Sequence, residues 1–166
     1  RVLFRSLAAL CGLGDARLTA LWDETPPVID PGKVAIIGAR DLDPGEKVNL
    51  RDAGALVLSM EQVDRIGMVA ALEQCIERVR RDVDGIYLSM DLDAVDPRFA
   101  PGVGTPVAGG LTYREAHLAC EVVAETGKLI GMDVVEVNPI LDEKNQTAKI
   151  AVEFACSALG SRVWRA

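Results

Sequence analysis

Short apolar runs alternate with longer amphipathic stretches along this chain. Residues 33–39 contain Val-Ala-Ile-Ile-Gly, and residues 55–59, 85–92 and 129–137 are comparably apolar. Runs of this length, bounded by turn residues, predict buried strands. Between them Val69, Leu72, Ile76, Val79 and Val83 recur at helical spacing, which predicts an amphipathic helix over residues 67–82. Thr112-Tyr-Arg-Glu115 has the form of a capping box and opens a predicted helix that runs to about Glu125, ended by Gly127. A last helix is expected over roughly residues 146–159. Residues 8–21 read as partly helical, broken at Gly12 and Gly14.

The polar segments are equally patterned. Residues 23–32, with Pro26, Pro27 and Pro31, read as a loop, residues 40–46 as a polar turn, and residues 96–110 as a loop rich in glycine and proline. Alternating strands and helices predict an α/β domain with a mainly parallel sheet. In such sheets ligands bind beyond the C-terminal ends of the strands. Those ends are therefore where chemistry is expected.

They carry carboxylates. The first strand leads into Arg40-Asp-Leu-Asp43-Pro-Gly-Glu46, the third ends in Asp91-Leu-Asp93, and the fourth ends in Glu136-Val-Asn138-Pro139. Clustered carboxylates raise one another's pKa unless a cation lies among them. Asp91 and Asp93 face the same side of an extended strand, about 6.6–7 Å apart at Cα. That spacing suits a dinuclear site, and oxygen ligands suit Mn²⁺ or Mg²⁺. On the residues alone each acid has a second reading. An Asp-x-Asp is often solvated, Asp41 and Asp43 fit a solvated turn, and Glu136 could cap the loop before Asn-Pro. Asp96, before Pro97, reads as a turn former that accepts backbone N–H groups. Asn138 and the glycines at 102, 104, 109 and 110 read as structural. Pro-Gly-x-Gly is not followed by Lys-Ser or Lys-Thr, which argues against a phosphate-binding loop.

Composition narrows the partners. The net charge of −7 argues against nucleic acid or an anionic membrane and is compatible with a cationic substrate or metal. No apolar run approaches the roughly 18 residues of a membrane span. Cys11, Cys75, Cys120 and Cys156 are widely spaced, as expected for buried, reduced thiols in a cytoplasmic protein. Residues 1–6 resemble a translated adapter and are expected to be non-native, so the domain is taken as residues 7–166.

The longer window Ser89-Met-Asp-Leu-Asp-Ala-Val-Asp-Pro-Arg-Phe-Ala-Pro-Gly-Val-Gly-Thr-Pro-Val-Ala-Gly-Gly-Leu-Thr112 is similar to the signature of the ureohydrolase family. Ile37-Gly-Ala-Arg-Asp-Leu-Asp-Pro-Gly-Glu46 and Met132-Asp-Val-Val-Glu-Val-Asn-Pro139 resemble the arginase-type members in particular. The resemblance spans essentially residues 7–164. It implies a three-layer α/β/α sandwich with a mainly parallel sheet, its N-terminal strands missing here. It also implies manganese-dependent hydrolysis of L-arginine to L-ornithine and urea, with two Mn²⁺ ions per complete site and assembly as homo-trimers or hexamers. Carried over by position, Asp91 would bridge the two metals and Asp93 would bind one. Glu136 would hold the substrate guanidinium as the catalytic carboxylate, and Thr105 would line the same pocket. Asp43, assisted by Glu46, would hold the α-amino group.

The family's Gly-Gly-Asp-His, Asp-Ala-His-x-Asp and Asn-x-His-Gly segments do not occur in the sequence. His117, the only histidine, lies mid-helix and is expected to serve the helix surface or packing, not a metal. The resemblance thus points to the C-terminal half of such an enzyme, inactive alone. Other readings are an agmatinase or another guanidino-compound ureohydrolase, a glycosyltransferase using Asp91-x-Asp93, and a non-catalytic pseudoenzyme subunit.

Overall fold

The structure, a computed structural model, describes residues 2–21 and 28–164. In chain order its elements are α1 (Val2–Leu10), α2 (Ala16–Thr19), β1 (Ala35–Ala39), α3 (Pro44–Ala53), β2 (Leu56–Ser59), α4 (Met60–Ile66), α5 (Met68–Val79), β3 (Ile86–Asp91), α6 (Tyr113–Glu125), β4 (Leu129–Val135) and α7 (Gln146–Ala158). Short 3₁₀ turns, Pro31–Lys33 and Leu92–Ala94, precede β1 and follow β3. The loop expected over residues 23–32 lies partly outside the described residues. No described helix is long and apolar enough to cross a membrane.

All four expected strands form, and every pairing is parallel. The described strands make two ladders of two, β1 with β2 and β3 with β4, where the sequence suggested one sheet. One apolar core nevertheless spans both. It includes Leu58 from β2, Met90 from β3, Leu72 and Cys75 from α5, Cys120 from α6 and Phe154 from α7.

Two helices escape the hydrophobic pattern. The expected polar turn at 40–46 instead contains the start of α3, and α4 follows β2 without a break. Both begin with reciprocal capping boxes. Asp43 accepts the Glu46 amide while Glu46 returns to the Asp43 amide; Ser59 and Gln62 do the same. Pro44, at the first turn of α3, is preset for helix. α3 buries no residue fully, so it has no apolar stripe to betray it.

The expected stripe on α5 is rotated. Met68, Ala71, Leu72 and Cys75 are buried, whereas Val69 is 60% exposed. The helix ends at Val79, before Val83. Among the thiols, Cys11, Cys75 and Cys120 are free and buried as expected, but Cys156 is exposed on α7. Burial pushes the Cys75 and Cys120 thiols up to about 11.

The loop between β3 and α6 is part of the core. Val95, Ala100 and Val103 are fully buried, and Val95 bridges to Leu111 in parallel. Asp96, only 2% exposed, ties the two ends of this loop together. Its carboxylate accepts the Arg98 amide at 3.0 Å, the Arg98 guanidinium at 2.8 Å and the Gly109 amide at 2.8 Å. The turn-forming role expected of Asp96 holds. The Arg98 guanidinium, followed by its backbone amide, keeps this carboxyl well below the usual carboxylate range.

His117 packs between α6 and α7, which fulfils the packing half of its expectation and excludes the surface half. Its ring centroid lies 4.5 Å from Tyr113 and 4.9 Å from Phe154, and Nδ1 lies 2.9 Å from the Ser157 hydroxyl. Burial lowers its pKa, as does Arg114, against the opposing pull of Glu121 and Glu153. A histidine held neutral by the fold stabilises it fully above its unfolded pKa of about 6.5 and loses that contribution as pH falls below it. Urea denaturation should therefore show wild type losing stability relative to His117→Asn between pH 7 and pH 5. A gap that stays constant with pH would mean that His117 does not titrate differently on folding.

Candidate active site at the ends of β3 and β4

Asp91 is the last residue of β3 and the N-cap of the turn Leu92–Ala94. Its Oδ1 accepts the Asp93 amide at 2.9 Å. Asp93 therefore lies in this turn and not on an extended strand, so the same-side strand spacing expected for Asp91 and Asp93 does not hold. Asp93 then meets the Gly-Thr-Pro segment, where the Thr105 hydroxyl donates to its Oδ2. The other oxygen, Asp93 Oδ1, is buried and has no hydrogen-bond partner among the described residues. A buried carboxylate oxygen without a donor is costly unless a cation or ligand approaches it.

Glu136 arrives from β4. The strand was expected to reach Val137 but stops at Val135, because Glu136 turns into the left-handed region at φ 67°. A non-glycine residue held there costs of order 1 kcal/mol or more, and such strain concentrates at functional sites. The neighbouring Asn138 amide bonds to the Gly102 carbonyl at 2.8 Å, and its Oδ1 accepts the Ile140 amide, the structural role expected of it. This seam brings the glycine loop beside Glu136. A Cβ on Gly104 would lie 3.2 Å from Glu136 Oε2.

Electrostatics join the same residues. The Asp91 pKa is raised to about 6, first by burial and then by Asp93 and Glu136. The Asp93 amide and the Arg40 guanidinium pull it the other way. Arg40 follows β1 and feels Asp96, Asp93, Asp41 and Asp91 together, although burial outweighs them and lowers its pKa. The structure therefore gathers Asp91, Asp93, Thr105 and Glu136, with Arg40 beside them. Asp43 and Glu46 lie one helix start away from Arg40 and hydrogen-bond to each other. Glu46 also lines an apolar cavity with Leu7, Cys11, Val34 and Leu50.

Arg40 does not stand out in the amino-acid sequence. Its partners are backbone carbonyls, which leave no trace in residue identity. The one available signal was a lone arginine at a strand end otherwise lined with acids.

Asp91 and Asp93 fit part of a coordination shell for a hard divalent ion. They offer only oxygen donors, and one of those oxygens is buried without a partner. Among the described residues no three His, Cys, Asp or Glu side chains are grouped to hold a metal.

The family model for the arginase family matches residues 15–160. The chain belongs to the arginase family. Among its family relatives, the arginase of Bacillus caldovelox is 48% identical over 157 residues, covering 95% of this chain and 52% of that protein. The arginase of Brevibacillus brevis is 45% identical over the same shares. The solved structure of the Bacillus caldovelox arginase superposes with a TM-score of 0.91 at 47% identity, again over 95% of this chain and 52% of that one. The chain thus spans about half the length of the arginase-family proteins it matches, and that half has the arginase α/β fold.

Asp91 is tolerated when protonated and penalised when ionised. Its contribution is therefore harmless below its ordinary pKa of 3.8 and destabilising as pH rises through about 6. In chelator at pH 7.5, Asp91→Asn should stabilise the chain by about 1–2 kcal/mol, after discounting for partial exposure. The gain should vanish near pH 4. Equal or lower stability of the variant at pH 7.5 would show that Asp91 ionises without cost.

Proposed function

We propose that this chain supplies the carboxylate side of a manganese-dependent arginase site, which hydrolyses the guanidinium group of L-arginine to L-ornithine and urea. The observation that carries the reading is the convergence of Asp91, Asp93, Thr105 and Glu136, with Asp93 Oδ1 buried and unpartnered. The arginase relatives support the choice of reaction.

In this reading Asp91 and Asp93 hold Mn²⁺, and the remaining ligands come from residues outside this sequence. When bound, the two metals lower the pKa of water so that hydroxide is available near neutral pH. Glu136 binds the planar guanidinium by charge-assisted hydrogen bonds and aims its carbon at the nucleophile. The left-handed backbone at Glu136 sets the direction of that carboxylate. Thr105 borders the same space from the glycine loop. Asp43, with Glu46 behind it, receives the α-ammonium group at the rim, so a substrate with an α-amino group is favoured over one without. The complete protein is a cytoplasmic homo-oligomer, a trimer or hexamer.

The chain alone should bind Mn²⁺ weakly by isothermal titration and release no urea from arginine. Co-expression with the other half of an arginase relative should restore urea release, with arginine preferred over agmatine. In that complex Glu136→Gln should lower kcat/KM by about a hundredfold or more. Robust turnover by the chain alone would overturn the divided site, and a silent complex that binds Mn²⁺ would overturn the reaction.

A further inference from the structure

The two ladders share no backbone hydrogen bond among those recorded between described residues, and the hydrogen bonds recorded there between the end of β1 and the loop after β3 come from a side chain. Apolar packing is nondirectional. The directional link is Arg40. Its register on the fold is set by Gly38, where β1 slips against β2 and the backbone adopts φ 85°. Beyond that bulge the guanidinium reaches the loop that follows β3. Nη2 donates to the Asp93 carbonyl at 2.8 Å, Nη1 to the Ala94 carbonyl at 3.1 Å, and Nε to the Val107 carbonyl at 3.0 Å. Nη2 also reaches Val107, and the Val95 carbonyl at 3.5 Å is marginal.

These acceptors are not scattered. Asp93 is the carboxylate whose Oδ1 is buried and unpartnered, and Val107 lies two residues beyond Thr105. One guanidinium therefore holds the backbone of Asp93 against the backbone that carries Thr105, and the contact between those two side chains is made across this tie. Gly110 is moulded to the same tie. A Cβ there would sit 2.6 Å from the Ala94 carbonyl, 2.7 Å from the Asp96 amide and 2.8 Å from Arg40 Nη2. Only a planar fork with several fixed donors reaches three carbonyls on two segments, and a lysine offers a point charge instead.

We infer that Arg40 is a positioning residue, which sets the Asp93–Thr105 geometry of the metal and substrate site by clamping the carbonyls of Asp93, Ala94 and Val107. The metal half of this statement rests on the function proposed above, and the clamp itself does not.

The test uses the 166-residue chain with Arg40→Lys and Arg40→Met. NMR reads the Thr105 χ1 rotamer from three-bond couplings and amide exchange at Gly109, Leu111 and, as a reference, Phe154 in α7. Mn²⁺ binding is read by electron paramagnetic resonance. Both variants should change the Thr105 rotamer and speed exchange at Gly109 and Leu111 while Phe154 stays protected. Both should weaken Mn²⁺ binding by about tenfold or more, the usual cost of losing a group that orients a metal ligand. If Arg40→Met fails to fold, Arg40→Lys decides alone. An Arg40→Lys chain that matches wild type would overturn the clamp, since the charge would then suffice. Equal loosening of Phe154 would overturn it by making Arg40 a general stabiliser. A loosened loop with unchanged Mn²⁺ affinity would overturn its role at the site. Wild type that binds no Mn²⁺ would count against the proposed function, while the rotamer and exchange readings would still decide the clamp.

Discussion

A buried carboxylate must find donors for its oxygens, and in this chain that requirement organises the loop on which the site depends. Asp96 finds them at both ends of the segment between β3 and α6, in Arg98 and in the Gly109 amide. Closing the loop there lets Val95, Ala100 and Val103 enter the core, where a free loop could not go. Within the loop closed in this way, Thr105 donates to Asp93. The part of the site between β3 and α6 is thus carried by a loop that is tied near both ends and packed into the core.

Asp91 and Glu136 stand in contrast to Asp96. The fold relieves Asp96 and burdens the other two. Asp91 is pushed toward its protonated form by burial and like charge, and Glu136 is held in a backbone region that its side chain disfavours. Neither feature helps the chain fold. Burial and like charge at Asp91, only partly offset by Arg40 and the Asp93 amide, together with the strained backbone of Glu136, mark these residues as a candidate ligand-binding site.

Much of this was legible in the residues. Apolar runs located all four strands, the Thr112–Glu115 box located the start of α6, and Asp-Pro identified the turn at Asp96. The acids at the ends of β3 and β4 were visible because carboxylates after apolar strands are conspicuous. What stayed hidden has physical reasons. α3 rests on a capping box and a proline with little apolar surface behind it. The rotation of α5 depends on which neighbours it meets, which periodicity does not encode. The exposure of Cys156 follows from the face that α7 turns outward. Asp43 and Glu46 show that one acid pair can read both as a polar rim and as a helix start; the structure shows the second, and the first belongs to the proposal.

Hydrogen bonding also divides the chain by sequence. β3, α6, β4 and α7 are consecutive, and the two strands pair with each other across the intervening helix, while among the described residues β1 and β2 pair with one another. The two ladders nevertheless share one apolar core, so side-chain packing and Arg40 couple them. A fluctuation that loosens the β1–β2 block breaks no recorded backbone bond in the other block, but it withdraws the Arg40 guanidinium from the carbonyls beside Asp93. The pocket of Asp91, Asp93 and Glu136 is therefore exposed to motion of the segment that carries Arg40, Asp43 and Glu46.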